Sequence, residues 1–135
     1  MRLSLIAGSV LALATLAAGA QTAKVTTPSG IVVETVQAGS GTSPKATDNV
    51  KVHYRGTFPD GREFDSSYKR GQPTSFPLNR VIPCWTEAVQ MMKPGGKVRI
   101  TCPPQLAYGA NGAPGGGIPP NATLVFEIEL VSVGG

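Results

Sequence analysis

The sequence predicts an α+β domain in which one antiparallel sheet covers a single helix. Three observations carry this. Short runs alternate apolar with polar residues, one run alone repeats at helical spacing, and turn residues separate them. The 135 residues include 17 Gly and 12 Pro, yet 41% are hydrophobic, so the chain is turn-rich and compact rather than disordered. Its length fits one domain.

The elements follow in order. After Met1-Arg2, residues Leu3 to Ala18 are almost wholly apolar, and Ala18-Gly19-Ala20 has the small-residue pattern of a cleavage site. Residues 1–20 are therefore expected to be a signal peptide. The rival, a retained anchor, is disfavoured because Ser4, Gly8, Ser9, Thr15 and Gly19 dilute a run at the lower limit for spanning. Removal of the leader leaves no membrane segment in the expected mature chain, Gln21 to Gly135. Residues 21–29 are polar and predict a flexible lead-in to a domain over 30–135. Ile31 to Val36 is β-branched and ends at Ala38-Gly39-Ser40-Gly41. Val50, Val52 and Tyr54 alternate with Lys51, His53 and Arg55, a half-buried strand whose phase turns His53 to solvent. Pro59-Asp60-Gly61 marks a turn before a strand over Arg62 to Ser66.

Trp85, Ala88, Val89 and Met92 form one apolar stripe, the signature of a helix that Pro94-Gly95-Gly96 should stop. Val98, Ile100 and Cys102 make another one-faced strand, as do Leu124, Phe126, Ile128 and Leu130. Between them, Gln105 to Asn121 carries five Gly and three Pro, which predicts one long loop without regular structure.

Composition and motifs exclude most chemistry. Net charge is only +4 and the basic residues are scattered, so nucleic acid is not an expected partner. His53 is the sole histidine, which removes a Ser/His/Asp set, and with two cysteines it cannot form a zinc site. The glycines from Gly109 to Gly117 lack the Lys-Ser/Thr of a phosphate loop. No paired carboxylates emerge, and neither metal nor cofactor is implied. What remains is an aromatic set, Tyr54, Phe64, Trp85, Tyr108 and Phe126, from five separate segments, with Asp65 directly after Phe64. The plain reading of these rings is core, although buried tyrosine hydroxyls need partners. For Asp65 the plain reading is a cap or turn.

Five collinear stretches resemble FKBP-type peptidyl-prolyl cis-trans isomerases: Val52-His53-Tyr54-Arg55-Gly56, Asp60-Gly61-Arg62-Glu63-Phe64-Asp65-Ser66-Ser67, Val81-Ile82-Pro83-Cys84-Trp85, Leu106-Ala107-Tyr108-Gly109, and Ile118 to Phe126. The resemblance implies an antiparallel half-barrel wrapped around the short helix. It also implies an apolar pocket floored by Trp85 and walled by Tyr54, Phe64, Val81, Ile82, Tyr108, Ile118 and Phe126, with Asp65 at one side. The implied substrates are proline-containing polypeptides, the implied inhibitors are macrolides, and Asp65, Tyr108 and the Ile82 N–H are the implied catalytic groups. Thr74 stands where many relatives have a rim aromatic, which predicts a less greasy rim. The expected activity is X-Pro isomerisation during folding of exported proteins, periplasmic or secreted; the alternative is a proline-peptide binding module or chaperone without turnover. A monomer is expected.

The same resemblance sets the helix against the strand that bears Cys102, so Cys84 and Cys102 should lie at one edge of the core. Buried free thiols are one reading of that pair. Export to an oxidising compartment favours the other, a disulfide.

Overall fold

A computed structural model describes residues 23–134. The expected signal peptide, residues 1–20, lies outside the described residues. Seven strands make one sheet: β1 (Ala23–Thr26), β2 (Val32–Gln37), β3 (Asn49–Thr57), β4 (Glu63–Ser66), β5 (Thr74–Pro77), β6 (Lys97–Cys102) and β7 (Leu124–Val133). Two helices interrupt them, the single turn α1 (Ser67–Arg70) and α2 (Pro83–Val89). The order is β1-β2-β6-β7-β3-β4, with β5 also on β3, and every pairing is antiparallel. The sheet curves around α2 without closing.

The alternations fix which face is inward. Strand β7 pairs on both sides, so rows of inward residues run across the sheet. Val52 stands opposite Leu130, Tyr54 opposite Ile128 and Gly56 opposite Phe126, while Val98 meets Ile128 and Ile100 meets Phe126. The stripe of α2 packs on these rows, burying Trp85, Ala88 and Val89. Burying such a set of large apolar side chains stabilises by about 1.5–3 kcal/mol each, before entropy is counted.

Several expectations need correction. Residues 24–29 are not a free lead-in. β1 pairs with β2, Thr27 and Ile31 close the turn between them, and the Ser29 hydroxyl donates to the Glu87 carboxylate on α2 at 2.7 Å. The alternation Ala23-Lys24-Val25-Thr26 is too short to mark a strand, and Val25 is half exposed, so no core face reveals it. Helix α2 ends at Val89, before Pro94-Gly95-Gly96, and Met92 is buried from the turn beyond it. The Pro94 turn instead docks on β7, where Gly95 N–H donates to Leu130 O and Leu130 N–H to Gly96 O.

His53 is not turned to open solvent. The single turn α1 covers it: its ring stacks on Tyr68 at 4.6 Å, and Nδ1 shares a 2.8 Å hydrogen bond with the Ser67 hydroxyl. The glycine-rich stretch is likewise organised, by 3₁₀ turns at Pro104–Leu106, Gly109–Asn111 and Pro114–Gly116 and by a bridge between Ala113 and Ile118. Gly112 sits at φ 67°, and a Cβ there would come within 2.5 Å of Ile118 O, so glycine alone lets this loop close.

Cys84 and Cys102 form a disulfide, with Cα atoms 5.8 Å apart and both residues fully buried. It ties the first turn of α2 to β6. Alkylation of the denatured, unreduced protein should label no thiol, and reduction should label two. Reduction should also cost roughly 3 kcal/mol of stability in urea titrations, the chain-entropy value for a loop of this size. Two labelled thiols without reductant would contradict the bridge.

Candidate active site

Where the half-barrel opens above α2, a cavity of about 510 Å³ is lined by Tyr54, Phe64, Asp65, Thr74, Phe76, Arg80, Val81, Ile82, Trp85, Tyr108 and Phe126. Trp85 is its floor, only 6% exposed. Three rings hold the indole: Tyr54 edge-on at 5.0 Å, Phe126 edge-on at 5.2 Å and Phe76 tilted at 5.6 Å. Such contacts add about 0.5–1.5 kcal/mol each beyond area burial. The indole N–H is buried without an acceptor among the described residues, an orphan donor that the packing must offset.

The sheet register supplies the walls. Phe126 lies next to Gly56, and a Cβ at Gly56 would come within 2.7 Å of the Phe64 ring and 3.0 Å of Phe126. Glycine at 56 is therefore what admits both rings. Strand β5 sets Phe76 opposite Val50 and Thr74 opposite Val52, which brings both into the cavity.

One corner is polar. The Tyr54 hydroxyl donates to Asp65 Oδ2 in a short hydrogen bond. Asp65 Oδ1 accepts from Ser66 N–H and from Arg70 Nη1, both at 2.8 Å. Arg70 Nη2 also donates to the Tyr54 hydroxyl at 3.0 Å and to Thr74 Oγ1 at 3.3 Å. Local sequence builds this corner. Ser66 caps α1, its hydroxyl accepting from Tyr68 and Lys69 N–H, and the turn swings Arg70 back over Asp65. Buried Ser67 accepts from the Tyr54 N–H at 2.7 Å and so fixes β3 beneath the corner.

Burial alone would raise the Asp65 carboxyl, but the Tyr54 hydroxyl, Arg70 and the Ser66 N–H outweigh it and hold the group below its usual range. Burial, then the Asp65 hydrogen bond, pushes the Tyr54 hydroxyl up. Tyr108 is pushed up by burial and by the Asp65 charge. At neutral pH the corner is thus one carboxylate and two neutral phenols.

Two groups stay uncommitted. Among the described residues, neither the Tyr108 hydroxyl nor the Ile82 N–H has a hydrogen-bond partner. Pro83 opens α2 and no side chain caps it, so nothing local competes for the Ile82 N–H. The cavity offers two free donors above an aromatic floor.

Of the expected site residues, Ile118 is the one not among those lining this cavity. It is 5% exposed, packs in the core and faces a separate groove with Phe58, Arg62 and Pro119, not this cavity. Sequence reasoning missed Arg70, Phe76 and Arg80; only Arg70 had a local signal, a cation one helical turn beyond a capping serine. Thr74 is at the rim as expected, while Phe76 supplies aromatic surface beside it.

Comparison with known proteins agrees with this geometry. The FKBP-type peptidyl-prolyl cis-trans isomerase family profile matches residues 40–131. The chain belongs to this family. This FKBP-type chain is 54% identical over 108 residues to the isomerase FkpA of Escherichia coli K12, covering 80% of the chain and 39% of the relative. It is 52% identical to the isomerase Mip of Coxiella burnetii, with 80% and 46% covered. The chain thus spans less than half the length of these curated relatives. The crystal structure of FkpA from Escherichia coli superposes with a TM-score of 0.80 at 46% identity, over 94% of this chain and 59% of that one. An isomerase from Pseudomonas syringae superposes with a TM-score of 0.76 at 37% identity, over the whole of both chains.

The polar corner of this FKBP-type domain makes an acid-stability prediction. A carboxyl held low in the folded state stabilises above its unfolded pKa, about 3.9, and that contribution is lost as pH falls through the folded value. Between about pH 5 and pH 2 the urea midpoint of Asp65→Asn should therefore fall less than that of the unaltered chain. Equal falls would mean that Asp65 is not held by this corner.

Proposed function

We propose that the chain catalyses cis–trans rotation of X-Pro bonds, acting on exported polypeptides as they fold. The observation that carries this reading is the pairing of two unspent donors, Ile82 N–H and Tyr108 hydroxyl, with a cavity lined largely by aromatic side chains. The reaction needs little else. An amide resists rotation by about 18–20 kcal/mol because twisting breaks C–N resonance, and no bond to another atom forms or breaks. Left alone, X-Pro exchange takes tens to hundreds of seconds.

In the proposed mechanism the proline ring settles on Trp85 between Tyr54, Phe64 and Phe126. The planar, polar amide loses water there, and the less polar twisted amide loses less, so the barrier falls. A backbone carbonyl of the substrate accepts from the Ile82 N–H, and a second accepts from Tyr108, which holds the chain while one bond turns. Both oxygens of Asp65 are engaged by protein donors. Its proposed role is to keep Tyr54 in the wall and to present a fixed negative charge to the amide, rather than to move a proton.

The compartment is part of the proposal. The apolar leader with its Ala18-Gly19-Ala20 site and the buried disulfide both suit an oxidising space such as the periplasm. Among the described residues no helix is long and apolar enough to cross a membrane. The cavity's size and rings also suit an apolar macrolide. Action as a single copy is part of the same reading.

The test is a protease-coupled assay on a short X-Pro peptide. The unaltered chain should accelerate isomerisation at micromolar concentration or below. Tyr108→Phe, which removes one hydrogen bond and little volume, should lower turnover about two- to tenfold with a near-normal melting temperature. Trp85→Ala should abolish turnover and cost about 3–5 kcal/mol of stability. An unaltered chain that binds the peptide without accelerating it would be a binding module instead.

A further inference from the structure

Resting on the isomerase reading, we propose that Arg80 selects substrates with an acidic side chain beside the proline. Arg80 ends the 3₁₀ turn Leu78–Arg80, directly before Val81 and Ile82 in the cavity wall, and is itself exposed at the cavity. The turn is firmly held. Leu78 is fully buried, its N–H donates to Asp48 O at 2.9 Å, and its carbonyl accepts from the Thr86 hydroxyl of α2 at 2.7 Å. The backbone that carries the guanidinium is therefore fixed relative to the Trp85 floor.

The charge at the rim is unbalanced. Asp65 and Arg80 are the charged side chains that line the cavity, and Arg70 reaches Asp65 from outside the lining. Arg70 and Tyr54 occupy that anion. Ion pairs among the described residues join Arg55 and Lys69 to Glu63, Arg62 to Asp60, and Arg99 to Glu127; none engages Arg80. A guanidinium presents five donors and a permanent charge, suited to a carboxylate. A substrate carbonyl on the Ile82 N–H would sit two residues along the chain from Arg80. A Glu or Asp flanking the proline would then find the one charged lining side chain without an ion-pair partner among the described residues. The acidic side chain that lines the cavity, Asp65, is already paired with Arg70.

The experiment uses uncharged-end peptides in matched pairs, Glu-Pro against Gln-Pro and Pro-Glu against Pro-Gln, with kcat/KM taken for the unaltered chain, Arg80→Gln and Arg80→Glu. Within each variant the Glu/Gln ratio is read, so any general loss of activity divides out. An exposed ion pair is worth about a two- to fivefold preference. The unaltered chain should show it for at least one acidic position, Arg80→Gln should bring the ratio to about one, and Arg80→Glu should invert it. About 1 M salt should erase it. Ratios of one in the unaltered chain at low salt, or a preference that survives Arg80→Gln, would overturn the assignment. Absence of acceleration for every peptide would instead overturn the isomerase reading. Fluorescence of Trp85, the one tryptophan, then reads the same peptide ratios as affinities and decides the role of Arg80 by the same criteria.

Discussion

Everything at this site depends on where Trp85 is held, and α2 is too short to hold it unaided. A helix of seven residues, with no side-chain cap, would not persist alone in water. Its position comes from outside: the disulfide from Cys84 to β6, the Thr86 hydroxyl on Leu78 O, the Ser29–Glu87 contact from the β1–β2 turn, and the rings of Tyr54, Phe76 and Phe126 around the indole. The same helix start leaves the Ile82 N–H unspent. One placement thus sets both the floor of the cavity and a donor at its edge.

The sheet serves that placement through its register. Because β7 pairs with β3 and β6, Phe126 has Gly56 on one side and Ile100 on the other, and the missing side chain at 56 becomes room for two rings. Gly56 in turn stands opposite Asp65 on β4, which sets the carboxylate beside Tyr54. A one-residue slip of β3 would turn Tyr54 out of the cavity and separate it from Asp65. Apolar wall and polar corner are consequences of one register.

Legibility in the sequence followed the strength of the local signal. Strands β3, β6 and β7 each bury one face, so their alternation was plain, and the stripe of α2 was equally so. β1 and β5 leave no one-faced apolar run to read: β1 has Val25 half exposed, and β5 holds a single ring, Phe76. The end of α2 was misjudged because Met92 keeps the apolar spacing although the chain has already left the helix. The aromatic residues and Asp65 could be read as a set only through motif resemblance, since nothing local says that five distant segments converge. Phe76 and Arg80 depend on the β3–β5 pairing and on a single 3₁₀ turn, which have no periodic trace. Ile118 enters the expected set through the motif that also holds Pro119 and Pro120, while in the fold it packs in the core beside a separate groove.

A cavity that grips an X-Pro segment and one that turns it could share every contact described here, and the difference is kinetic. Magnetisation-exchange NMR on an X-Pro peptide, with the protein at about a hundredth of the peptide concentration, separates the two most directly. The account predicts that cis–trans exchange accelerates from tens of seconds to well under a second while the cis:trans ratio stays unchanged. Exchange that remains at the uncatalysed rate, with peptide resonances shifted at higher protein concentration, would contradict it.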